Sequence, residues 1–131
     1  MFRWLFLLFL LLIVLFPTNV FSQSEKKKAL YFYSQDCPHC DKVEDYFKQE
    51  KLYDKYEIRK IDVSGPYNME YLGQFFEAFG VKQEKRGWPA VFFGQEVLVG
   101  DQPVIENFSR EIEAKGSFEF PEAEATSKII S

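Results

Sequence analysis

The sequence predicts an α/β fold in the element order β-α-β-α-β-β-α, with a central mixed sheet flanked by helices on both faces. Three observations predict it. Residues 29–33, "ALYFY", are a continuous apolar run, which marks a strand buried on both faces. Beyond Pro38 the apolar residues Val43, Tyr46 and Phe47 fall at i, i+3 and i+4 among charged neighbours, which marks an amphipathic helix. Farther on, "PAVFF" and "EVLVG" are short strands joined around Gly94 and Gln95, the profile of a β-hairpin.

The elements follow in order. The first strand leads straight into Ser34-Gln35-Asp36 and the two cysteines, Cys37 and Cys40. Pro38 suits the first turn of the helix that follows, where its missing N–H costs nothing. "YEIRKIDV", residues 56–63, is β-branched and partly alternating, a second strand parallel to the first. Ser64-Gly65-Pro66 makes a turn, and Met69, Leu72, Phe76 and Phe79 mark a helical face that ends at Gly80. All four are expected in the core. Residues 82–87, "KQEKRG", are a polar loop before the hairpin. Val104, Ile105, Phe108 and Ile112 mark a last amphipathic helix. Residues 29–114 form the expected domain, 23–28 a linker, and 115–131 a loosely attached tail without periodicity.

The chain of 131 residues is long enough for one such domain behind a leader. Residues 1–22 begin with one basic residue, Arg3, and continue as thirteen apolar residues from Trp4 to Phe16, then break at Pro17. Val20 and Ser22 suit the −3 and −1 positions of a signal-peptidase site. The segment therefore reads as a secretory signal peptide or, if uncleaved, a membrane anchor, although thirteen residues are short of the roughly 20 that span a bilayer. Either reading puts the remainder in an extracytoplasmic compartment, periplasmic or secreted, where disulfides persist. The chain has 16 Lys and Arg against 20 Asp and Glu, and with Arg3 set aside 15 basic residues remain. That mild acidity, with no basic stripe, argues against nucleic acid as a partner.

Two cysteines are one pair, not a disulfide scaffold. Cys37 falls where a buried strand ends and a helix begins. The first N–H groups of a helix lack internal partners and its dipole is positive there, so a thiolate is stabilised and the thiol pKa falls. Cys40 lies one turn on, within reach of Cys37 and more covered. Cys37 then attacks or is attacked, and Cys40 resolves the mixed disulfide. His39, the only histidine, would favour the Cys37 thiolate as a cation, so Pro38 and His39 are tuning residues.

"CPHC" between a strand and a helix resembles the active site of the thioredoxin superfamily. "GWPAVFFGQEVLVGD", residues 87–101, is similar to the cis-proline, strand, turn and strand segment of thioredoxins and glutaredoxins. The resemblance covers about residues 28–114. It implies a thioredoxin-like fold and a thiol–disulfide oxidoreductase acting as a monomer on protein thiols and disulfides, with a membrane or extracytoplasmic redox partner and no cofactor or metal. It also implies that Pro89 is the cis-proline and that Trp88 and Pro89 bind substrate backbone beside the first cysteine. The chain departs from the pattern in several places. Tyr31 stands where thioredoxins carry a buried acid, and Asp36 where they carry tryptophan. Trp88 replaces a small or β-branched residue, and Gly100-Asp101 is all that remains of the glycine pair of glutaredoxins.

Two other readings stay open on the same cysteines. Two thiolates and His39 suit Cu(I) or Zn(II) in a site shared between chains, since one chain lacks the four ligands of a structural zinc. Alternatively the disulfide is inert and the domain a binding module. Asn107-Phe108-Ser109 matches the glycosylation sequon but falls in the predicted last helix. Asp62 reads as a solvated strand end, and Asp41, Glu44 and Asp45 as carboxylates suited to an early helix turn.

Overall fold

Residues 1–14 and 24–120 are described by a computed structural model of the chain. The expected cleavage region at Val20 and Ser22 and the tail beyond Phe120 lie outside the described residues. An N-terminal helix, α1 (Phe2–Val14), precedes strand β1 (Lys28–Tyr33) and helix α2 (Pro38–Gln49). A short helix α3 (Leu52–Lys55), strand β2 (Glu57–Asp62) and helix α4 (Pro66–Ala78) follow. After a single 3-10 turn at Gln83–Lys85 come β3 (Ala90–Phe93), β4 (Glu96–Val99) and α5 (Asp101–Lys115).

The four strands form one mixed sheet in the order β2-β1-β3-β4. β1 pairs parallel with β2, Tyr33 opposite Asp62, and antiparallel with β3, Phe32 opposite Ala90. The β3–β4 hairpin sets Ala90 opposite Val99 and Phe93 opposite Glu96. This is the mixed α/β sheet, covered by helices on both faces, that the sequence predicts. The two-residue period of β1 divides the core between the faces. Ala29 and Tyr31 pack with Val43 and Phe47 of α2 and Val104, Phe108 and Ile112 of α5. Leu30 and Phe32 pack with Leu72 and Phe76 of α4. Aromatic rings fill both layers, Phe108 touching Phe47, Tyr56 and Phe93 on one side and Phe92 touching Phe32, Phe75, Phe76 and Phe79 on the other.

Two expectations change. Met69, in the first turn of α4, is exposed, not core. The segment after α5 is seated rather than loose as far as Phe120. Phe118 N–H donates to the Lys28 carbonyl at 2.8 Å, and Lys28 N–H donates to Ser117 Oγ at 2.7 Å. Phe118 buries its ring against Phe75, and Phe120 stacks under the Arg59 guanidinium. The apolar side chains of this segment complete the α4 layer at the end of the sheet remote from the cysteines.

Gly94 shows how tightly the hairpin turn meets the end of α5. Its φ is +52°, and an added Cβ would stand 2.7 Å from the Lys115 carbonyl oxygen. Gly94→Ala is expected to cost about 1–3 kcal/mol from the left-handed backbone and the clash. Gly73→Ala serves as its control: nothing lies within 4 Å of the added methyl, and the site is inside α4. There alanine is expected to stabilise by about 0.5–1 kcal/mol. Urea titration of both variants checks the pair.

Candidate active site

The strand pairings bring four segments to one end of the sheet. Cys37 follows β1, Ser64 follows β2, Trp88-Pro89 precedes antiparallel β3, and Gly100-Asp101 follows β4. Gly100 N–H donates to the Pro89 carbonyl at 2.8 Å, which ties the last two together.

Cys37 is the N-cap of α2, with extended backbone (φ −122°, ψ 99°), and Pro38 opens the helix. The Cys37 sulfur accepts the Cys40 N–H at 3.1 Å, one of the unpaired donors of a helix start. Cys37 and Cys40 form a disulfide with Cα atoms 5.2 Å apart. Their exposure differs: Cys37 is partly exposed, while Cys40 is 3% exposed. A partner can therefore approach Cys37 and not Cys40. Asp36, with φ 53°, makes the left-handed step that turns the chain from strand to helix.

Tyr31 lies beneath the pair. Its hydroxyl donates to the Cys40 carbonyl at 3.3 Å. Burial, helped by the nearby Glu44 carboxylate, raises the phenol pKa well above its ordinary range, so Tyr31 stays neutral and donates without ionising. It fixes the backbone of Cys40.

His39 and Lys42 extend from the first turns of α2 to α5. His39 Nδ1 is 3.1 Å, and Lys42 Nζ 3.3 Å, from the same oxygen of Asp101. The His39 contact foremost, with Lys42 and the Gln102 N–H, pulls the Asp101 carboxyl down to about 2.

Asp62 is more than a solvated strand end. One carboxylate oxygen accepts the Ser64 hydroxyl at 2.6 Å and the Ser64 N–H at 2.9 Å. The other accepts the Gln35 side-chain amide at 2.8 Å. Gln35 N–H in turn donates to Ser64 Oγ at 3.4 Å. Asp62 thus braces the segment that delivers Cys37 against the loop after β2. These contacts, those of Ser64 first, hold its carboxyl below its ordinary value. A depressed folded-state pKa contributes stability that is fully present above the unfolded value and is lost as pH falls through the folded one. Asp62→Ala is therefore expected to melt lower at neutral pH, with the gap to the parent narrowing as pH falls from about 6 toward 3. Thermal melts across that range check it.

Trp88–Pro89 is a cis peptide bond, at the position the resemblance implies. Pro89 itself is buried and its carbonyl is already bonded to Gly100. Trp88 is the side chain offered outward, 40% exposed. It borders a hollow of about 170 Å³ whose other walls are Met69, Leu72, Gly73, Phe76, Arg86 and Gly87. Asn107 of the sequon lies within α5, and its amide donates to the Pro103 carbonyl at 3.0 Å. Among the described residues no three or more His, Cys, Asp or Glu side chains gather as a metal-ligand group.

No protein-family model matches the chain, and no curated protein matches its sequence. Among solved structures it is similar to the solution structure of glutaredoxin from Brucella melitensis, with a TM-score of 0.48 and 15% identity over 76% of this chain and 99% of that one.

Proposed function

We propose that the chain is a small extracytoplasmic thiol–disulfide oxidoreductase that exchanges the Cys37–Cys40 disulfide with protein thiols. The observation that carries this reading is the sulfur of Cys37. It belongs to a partly exposed residue, caps a helix N-terminus, accepts a backbone N–H there, and is bonded to a buried partner.

In the oxidising direction a substrate thiolate attacks Cys37 Sγ. The Cys37–Cys40 bond breaks, and Cys40 leaves with the electron pair and takes up a proton. A second substrate thiolate then attacks the substrate sulfur of the mixed disulfide. The substrate departs with a new disulfide, and Cys37 departs as a thiolate held by the amides at the helix start. In the reducing direction the Cys37 thiolate attacks a substrate disulfide, and Cys40 resolves the mixed disulfide. In this reading the exposed Trp88, which precedes β3 at the end of the sheet where Cys37 follows β1, and its neighbouring hollow supply apolar surface for the substrate chain.

The extracytoplasmic assignment rests on residues 1–22. Helix α1 is apolar apart from Arg3 in its first turn, and its 13 residues extend about 20 Å against a hydrocarbon core of about 30 Å. No helix among the described residues is long and apolar enough to cross a membrane. Export with cleavage after Ser22 would leave Gln23 as the mature N-terminus, which N-terminal sequencing reads directly.

The functional test offers the oxidised protein a reduced peptide that carries two cysteines. Formation of the peptide disulfide with stoichiometric appearance of Cys37 and Cys40 thiols is expected. A peptide that stays reduced, and a reduced protein that leaves an oxidised peptide untouched, would overturn the reading.

A further inference from the structure

We infer that Asp101 is a positioning residue for the cysteine pair, drawing His39 and Lys42 onto α5 and so moderating the oxidising power of the disulfide. The inference rests on the redox role proposed above. His39 stands between the two cysteines, and Lys42 is two residues past Cys40. Both would raise the positive potential around the Cys37 sulfur. Yet both end on one carboxylate oxygen, His39 Nδ1 at 3.1 Å and Lys42 Nζ at 3.3 Å. The Asp101 side chain is 19% exposed, whereas those of His39 and Lys42 are 65% and 62% exposed. The carboxylate is thus the fixed member, and the His39 and Lys42 side chains come to it. It is fixed because α5 begins there, immediately after the Gly100 N–H bonds to Pro89.

Asp36 and Asp41 are the other carboxylates flanking the pair in sequence, and both are present with or without Asp101. Removing the Asp101 charge makes the surroundings of the α2 start more positive, because the Lys42 ammonium is then left uncompensated. A more positive surrounding stabilises the Cys37 thiolate, hence the reduced form, and makes the disulfide more oxidising. Removing Lys42 does the reverse, because the carboxylate is left less compensated.

The test equilibrates the full chain and its variants with glutathione buffers at neutral pH. Two glutathione thiols reduce the Cys37–Cys40 disulfide, yielding the protein dithiol and one glutathione disulfide. Two electrons and two protons pass to the protein, and the fraction of Cys37 that is acidic returns its proton to solvent. Asp101→Asn is expected to raise the equilibrium constant for reduction roughly three- to tenfold, about 15 to 30 mV. Lys42→Met is expected to lower it by a similar factor, and Asp101→Glu to restore the parent value. A purely structural role for Asp101 would not produce shifts of opposite sign. If neither variant moves the constant, or both move it the same way, the inference fails, and the redox role stands provided the parent exchanges with glutathione. If the parent does not exchange with glutathione, the redox role fails and this inference falls with it.

Discussion

Replacing Cys37 with serine is expected to abolish disulfide exchange, by roughly 10³-fold or more, because the one cysteine sulfur of the pair that a partner can reach is then gone. Cys40 cannot substitute for it, since it is 3% exposed and its backbone is held by Tyr31. Replacing Cys40 with serine should give the opposite outcome. Cys37 still forms the bond to the partner, but no neighbouring thiolate resolves it, and a mixed disulfide accumulates. Incubating each variant with a protein disulfide, then separating on gels with and without reductant, distinguishes them. The Cys40→Ser lane should show a reductant-sensitive adduct and the Cys37→Ser lane none. Adducts on both, or on neither, would mean that the asymmetry in exposure does not assign the roles of the two sulfurs.

The second large effect is on stability. Phe108→Ala is expected to cost about 3–5 kcal/mol. Phe108 is fully buried where α2, α3 and α5 meet the sheet, with ring centroids 5.2 Å from Phe47, 5.5 Å from Phe93 and 5.7 Å from Tyr56. Truncation leaves a cavity that three rigid rings cannot close. In urea the midpoint should fall by on the order of 2 M. Phe108→Leu keeps most of the volume and should cost less than about 1.5 kcal/mol. Denaturant titration of the two variants measures the difference. A cost below about 1 kcal/mol for the alanine variant would show that the layer under α2 repacks freely.

Sequence pattern made the sheet and the cysteine pair legible because both are local. Five consecutive apolar residues announced β1, the change of period after Pro38 announced α2, and the junction between them located Cys37. What sequence missed depends on contacts distant along the chain. Gln35 and Asp62 are 27 residues apart, and no local pattern reveals that one braces the other. The same holds for Asp101, to which only the fold brings His39 and Lys42. Met69 fits the i, i+3 face of α4, but periodicity does not tell which turns of a helix face are covered by the rest of the fold. Phe118 and Phe120 alternate over too few residues to register as an element, and the seat they take is formed by Lys28, Phe75 and Arg59. Helix α3 has only four residues, less than the period needs to show.

The central claim is that the start of α2 makes Cys37 an acidic thiol. Titration of the reduced protein, following thiolate absorbance in the ultraviolet with Cys40→Ser as the single-thiol reference, tests it most directly. The account predicts ionisation at about pH 7 or below, against about 8.5 for free cysteine. Ionisation at or above the free-cysteine value would contradict it.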